Sequence, residues 1–197
     1  MKRWLWALLL LPFALQAEEA KLARLVSHPI LSGKFVQEKK ISGLSKPLVS
    51  RGDFLVVNDQ GVIWRTLKPF EAAVAVTGKG IWSLTQEAGG VKREPIHQGN
   101  LGTAMDMIEK VLAGDVSSLQ KFFKVTEGGT AQAWTWDLEP LDPVVARVIK
   151  RLHLQGSKNV DSVDYFEANG DSTHIVFSGV RPVAGSLEAW SGAAFGG

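Results

Sequence analysis

Four histidines, two serines beside a glutamate and a short run of carboxylates are the groups in this 197-residue chain that could carry chemistry. His28, His97, His153 and His174 are scattered. They form no i,i+4 pair, and no cysteine exists to join them, so no metal-ligand set is predicted. His153 and His174 fall on strand-like segments that could bring them together, or leave them as ordinary surface histidines. Ser186 and Ser191 lie near Glu188 in "GSLEAWSG", but nucleophilic catalysis on a hydrolase elbow needs a G-x-S-x-G turn, and none is present. Asp161, Asp164 and Glu167 are close enough in sequence to suggest paired acid and base, yet strand alternation separates them, and they read as solvated edge charges. "GKG" at 78–80 lacks a third glycine and precedes a strand, which reads as a hairpin turn rather than a phosphate cradle. No catalytic residue, metal or cofactor is predicted.

What the chain offers instead is apolar surface. "GVIWRTLKPFEAAVAVTGKGIW" (61–82) carries two tryptophans, a phenylalanine and many small aliphatic residues, with Glu71 as its lone carboxylate. Within the strand-like runs, alternation puts Phe35, Phe54, Trp64, Val74, Val76, Trp82, Trp134 and Trp136 on what is read as the concave side of a sheet. They read either as a lining for an aliphatic ligand or as plain core. A ligand reading has ample driving force, since one buried methylene contributes about 0.8 kcal/mol.

The elements that must position these residues follow from turn signals. "GKFVQEKKI" (33–41), "LVSRGDFLVV" (48–57), "VIWRTLK" (62–68), "FEAAVAVT" (70–77) and "IWSLTQ" (81–86) are short strands bounded by Ser-Gly, "NDQG", Pro69, "GKG" and "EAGG", an antiparallel meander. The period then changes. "TAMDMIEKVLAG" (103–114) places Met105, Ile108, Val111 and Leu112 on one helical face, capped by Thr103 and Gly114. Met suits a cover that repacks around variable cargo, but more often it is ordinary filler. A second short helix after Asp115 would bury Leu119, Phe122 and Phe123. Strands resume at 131–139, 149–155, 160–168 and 172–180, with "ANGDS" as a hairpin turn whose Asn-Gly accepts positive φ at both central positions. "PLDPVVARVI" (140–149) fits a helical turn or a strand start, and "SLEAWSGAAFGG" a short C-terminal helix with a frayed end. The predicted class is α+β: a curved antiparallel sheet of nine or more strands, forming an unclosed half-barrel with the mid-chain helices covering its concave side.

The ends set the address. Lys2 and Arg3 precede the apolar run "WLWALLLLPFAL" and then "LQA", a secretory signal layout with cleavage expected after Ala17. About a dozen apolar residues is short of the roughly 20 a spanning helix needs. Residues 1–17 hold Lys2 and Arg3 and no acid, so the 22 basic and 20 acidic residues of the whole chain become 20 of each in the mature part, 18–197, read as one domain. That balance argues against a nucleic-acid partner. Lys34, Lys39, Lys40, Lys46 and Arg51 gather near what is read as one sheet edge, either protecting it or meeting an anionic membrane or partner.

These residues resemble a known family. "GKFVQEKKISGLSKPLVSRGDFLVVNDQGVIWRTLKPFEAAVAVTGKGIWSL" is similar to the first half of LolA-type periplasmic lipoprotein carriers: a G-x-F-x-Q strand, S-x-G-x-F/L, an apolar-x-Trp strand, a Pro and a G-x-x-x-W hairpin. "WTWDLEPLDPVVARVIKRLHLQG…VDYFEANGDSTHIVFSG" resembles LolA-like relatives encoded beside polyketide, aryl-polyene and glycolipid synthesis genes. The resemblance spans nearly all of 18–182. It implies a periplasmic, monomeric half-barrel whose cavity takes an acyl chain, lipid or lipoprotein from an inner-membrane donor complex to an outer-membrane acceptor, with transient membrane contact. Related RseB-type half-barrels imply an alternative, a sensor or scaffold; an accessory to a periplasmic acyl-transfer system is a third. One departure stands out: the family's Arg-Pro before the apolar-x-Trp strand is absent, and Asn58-Asp59 occupies that stretch.

Overall fold

A computed structural model describes residues 30–96, 110–111, 116–130, 132–183 and 185–196. The expected signal segment, most of the first predicted helix and three of its residues, Met105, Ile108 and Leu112, lie outside them.

Eleven strands form one antiparallel sheet: β1 (Ile30–Lys40), β2 (Leu48–Val57), β3 (Gly61–Lys68), β4 (Ala72–Thr77), β5 (Gly80–Glu87), β6 (Gly90–Pro95), β7 (Phe123–Gly129), β8 (Trp134–Pro140), β9 (Ile149–Gly156), β10 (Val160–Glu167) and β11 (Ser172–Arg181). Their order is β6-β5-β4-β3-β2-β1-β11-β10-β9-β8-β7, so two consecutive meanders are joined where β1 pairs β11. The sheet is unclosed, ending at β6 and β7. Because β1 and β2 lie in its interior, the lysines of β1 do not guard an edge, which corrects the edge reading of that basic group. Three short helices are described: α1 (Val116–Gln120), α2 (Pro143–Ala146) and α3 (Glu188–Phe195), the last preceded by a 3₁₀ turn at Gly185–Leu187.

Turn chemistry explains the hairpins. Gly78-Lys79 is a two-residue connection closed by the pair Thr77–Gly80. In the β2–β3 turn Asp59 adopts φ 63° and Gly61 φ 133°. In the β10–β11 turn only Gly170 takes positive φ, at 92°, rather than both central residues; Asn169 instead accepts from the Asp171 amide at 2.9 Å, a local Asx turn. Residues 140–149 resolve as a single turn, α2, begun by Asp142, whose carboxylate accepts from the Val144 amide, with Pro143 next.

The two faces carry separate cores. On one face, Leu31 and Phe35 of β1, Phe54, Val56, Val62, Trp64 and Val76 meet Leu138, Leu152, Leu154, Val163, Ile175 and Phe177 from the second meander. The Trp64 and Phe177 ring centroids are 6.3 Å apart although β3 and β11 are separated by three strand spacings, about 14 Å on a flat sheet. Such proximity requires the sheet to bend toward this face, which is therefore the inner one. Val111 and Leu119 pack into the same cluster.

The second core lies on the outer face of β2–β5. Leu55, Ile63, Ala73, Ala75 and Leu84 are covered by Leu187, Trp190 and Ala194. Trp190 and Ala194, four residues apart, share one side of α3, and the small alanines of β4 let it sit close. So the C-terminal helix covers the outer side, not the concave one. Arg65 fixes this layer: its Nε and Nη2 donate to the Asp53 carboxylate at 2.8 and 2.5 Å, and its guanidinium lies 5.3 Å from the Trp190 ring. Bonding to that carboxylate raises the guanidinium pKa further above its ordinary value.

Candidate functional site

The inner face is built from cross-strand rows set by register. Phe54 stands opposite Trp64, and Trp64 opposite Val74. Gly33 faces Phe54 on the other side, and Gly52 faces Phe35. Those glycines are the room in which the rings lie: a Cβ at Gly33 would come within 2.7 Å of the Phe54 ring, and one at Gly52 within 2.8 Å of the Phe35 ring. Phe35 stacks on Trp64 at 3.8 Å between centroids, while Phe54 meets Phe177 edge-on at 5.5 Å. A second row crosses the later strands, Ile175–Val163–Leu154–Trp136, and ends on the exposed Glu127 of β7.

Of the residues proposed from sequence, Phe35, Phe54, Trp64, Val76 and Trp136 are buried together in the inner cluster, and Val74 and Trp134 are half-buried against it. Trp134 stands 4.7 Å from Trp136, and its indole N–H donates to the Ser157 carbonyl at 2.8 Å. Trp82 is a correction. Across the two-residue turn Val76 pairs with Ile81, so Ile81 stays on the inner face and Trp82, opposite Ala75, turns outward. There it packs beside the outer core under the Arg93 guanidinium, 3.7 Å from its centroid.

Apart from Trp134 and Trp136, sequence reasoning missed the second meander's share of this face. Leu152 and Leu154, and Ile175 and Phe177, alternate in "IKRLHLQ" and "STHIVFSGV"; that period was the available signal. Tyr165 belongs to the same set, opposite Leu152 and packed on the inner cluster. Burial, followed by the nearby Glu167 carboxylate, pushes its phenol pKa from 10.0 up to about 12. The raised value means the folded state holds this proton longer than the unfolded chain. The stability that this group contributes is therefore full below about pH 10 and is lost as pH rises toward 12. Because Tyr165 is the chain's single tyrosine, phenolate absorbance should show a midpoint near 12 in native protein and near 10 in denaturant. A native midpoint at 10 would place the ring in water.

The titratable groups sit elsewhere, on the outer face of the second meander. Asp137, His153, Asp164, His174 and Glu38 are successive cross-strand partners over β8, β9, β10, β11 and β1. His153 Nδ1 lies 3.0 Å from Asp137 and His174 Nδ1 lies 2.8 Å from Asp164. The two histidines do not meet, because β10 separates them. Among the described residues no three His, Asp or Glu side chains gather as a metal site. Asp164 bonds His174 and Glu167 bonds Lys39 at 2.8 Å, so these acids serve cross-strand pairing. Ser191 donates to the Glu188 carbonyl at 2.6 Å within α3, a backbone-directed bond rather than an activated nucleophile.

The fold and its inner face define the class: an unclosed antiparallel sheet bent into a half-barrel, with one continuous apolar inner face. Residues 12–193 match the family described as outer membrane lipoprotein carrier protein LolA-like, and the chain belongs to that family. No curated protein matches the sequence. Among solved structures it is similar to a LolA superfamily protein from Nitrosomonas europaea, with 11% identity over 83% of this chain and 90% of that one, at a TM-score of 0.44. It is also similar to a DUF1329 family protein from Desulfovibrio piger, with 11% identity over 89% and 95% and a TM-score of 0.47. The Pseudomonas aeruginosa MucA/MucB complex matches at 14% identity over 83% of this chain and 55% of that one, with a TM-score of 0.43. Among the described residues no helix is long and apolar enough to cross a membrane.

Proposed function

We propose that this protein is a periplasmic carrier that holds the hydrocarbon portion of an acylated or lipid-like molecule against the inner face and moves it from an inner-membrane donor to an outer-membrane acceptor. One observation carries the reading. Buried apolar side chains from nine strands and from residues 111 and 119 converge on one concave face of a sheet left open between β6 and β7. Membership of a family named for lipoprotein carriers supports it. The chemistry required is burial of methylenes and not bond-making, and no role for an enzyme is assigned. Asn58 and Asp59 form the β2–β3 turn where the resemblance places the family's arginine, which implies either a different latch or a different cargo and release partner.

Exported protein should enhance an anilinonaphthalene dye or a labelled fatty acid stoichiometrically. Trp134→Leu, a half-buried position, should weaken that binding roughly tenfold, through apolar contact area lost where carrier and chain meet. Enhancement no better than that of a compact control protein ends the proposal. Mass spectrometry of the native protein decides between this and the sensor reading: recovered lipid supports a carrier, whereas a stable complex with a membrane regulator and no lipid supports a sensor.

A further inference from the structure

The antiparallel order puts the β1–β2, β3–β4 and β10–β11 turns, α2 and the start of β7 at one end of the half-barrel. The large apolar side chains left exposed concentrate there. Phe70 is 82% exposed, Val144 68%, Leu141 61%, Leu44 57% and Leu48 55%, and Leu67, Val49 and Phe122 add to the same end; of the exposed large hydrophobics only Val176 and Val183 lie away from it, among the described residues. Solitary surface hydrophobics need no explanation, but a set of them on turns at one end does.

Cations frame this rim. Lys40, Lys46, Arg51, Lys68, Arg147 and Lys150 are all exposed, and Arg51 stands opposite Lys68 across β2 and β3. The acids of the same end are largely engaged. Glu167 and Asp171 take Lys39 at 2.8 and 3.8 Å, Asp142 caps α2, and Glu87 shares Lys92, 3.9 Å away, with Glu94 at 2.9 Å. Glu38, Glu71 and Glu139, the last opposite Lys124 in register, are the remaining carboxylates. The end is therefore an apolar tip within a cationic collar, although the mature chain carries equal numbers of acids and bases.

We propose that this end docks on an anionic lipid bilayer, with Phe70 and Leu44 entering the headgroup boundary and the lysines and arginines meeting lipid phosphates. Charge complementarity selects the occupant. Apolar turns ringed by Lys and Arg gain both acyl-boundary burial and phosphate attraction at such a surface. A second copy would bring like-charged collars together. The surface is distinct from the inner face, so it stands or falls separately from the carrier reading.

The test is flotation of the exported protein with vesicles rich in phosphatidylglycerol and with pure phosphatidylcholine vesicles. Binding should favour the anionic vesicles by about tenfold or more and fade with added salt. The pair Phe70→Ser and Leu44→Ser should lower it by a similar factor, as should the pair Lys46→Glu and Lys68→Glu. Val183→Ser, exposed at the opposite end, should leave it unchanged. Dye binding to the inner face, measured on the same variants, should not move, which shows that they are folded. Equal partition to both vesicle types, full binding by the Phe70 and Leu44 variant, or a dimer built on this rim in sedimentation would each overturn the proposal.

Discussion

Phe54→Ala is expected to cost about 3–5 kcal/mol of unfolding free energy, the range for truncating a fully buried phenylalanine. Phe54 has no exposed surface, faces Gly33 and Trp64 across its two neighbouring strands, and meets Phe177 edge-on at 5.5 Å. Its removal leaves a cavity where the two meanders join, because the ring bridges β2 to β11 over β1. Glycine at position 33 cannot fill that space. Denaturant unfolding followed by tryptophan fluorescence gives the number. A loss below about 1 kcal/mol would mean that the neighbouring rings collapse freely and that the aromatic row does not hold the meanders together.

Gly52→Ala should be at least as damaging, for a different reason. A Cβ there would fall 1.8 Å from the Arg65 carbonyl oxygen, a backbone atom that cannot move aside without parting β2 from β3. The register shifts between Arg51 and Gly52, so the strands approach closely at this point. We expect a loss above about 3 kcal/mol, or an insoluble protein. Gly78→Ala supplies the comparison, since nothing lies within 4 Å of its added carbon and the expected change is within about 0.5 kcal/mol. Equal behaviour of the two variants would refute the close approach of β2 and β3.

Much of this architecture can be read from the residues, and the failures have physical causes. Strands β2 through β5 alternate cleanly and are bounded by Gly, Asn or Pro, so their limits were legible to within about two residues. Strand β6 was not. "GVKREP" has no large apolar residue other than Val91, because an edge strand with one flank in water has little to bury. Strand β7 failed for the opposite reason. Leu119, Phe122 and Phe123 match helical spacing, yet the chain leaves α1 at Gln120 and Phe123 already pairs with Pro140. The pairing of β1 with β11, some 140 residues apart, leaves no local trace. Without it the lysines of β1 look like edge charges.

Within the candidate site, alternation found the ring positions of the first meander and Trp134 and Trp136 of the second. Alternation within β5 alone does not state which of Ile81 and Trp82 faces inward. A two-residue turn fixes which side each flanking residue takes, and that rule places Ile81, not Trp82, beside Val76. The cover is legible only as helical period, since amphipathic spacing does not state which face of a sheet a helix will choose. Trp190 and Ala194 share one side of a helix, and that side lies on the outside.

The open border between β6 and β7 gives the sheet a variable girth. A closed barrel of fixed strand number and stagger has a set diameter, and swelling it requires breaking a ladder of backbone bonds. A sheet fastened only along its middle can flex its two flanks apart by changes of twist and coil, with every existing rung retained. Under the proposed carrier role, one frame could thereby admit thin and bulky guests alike, and shape discrimination would pass from the wall to whatever closes over it.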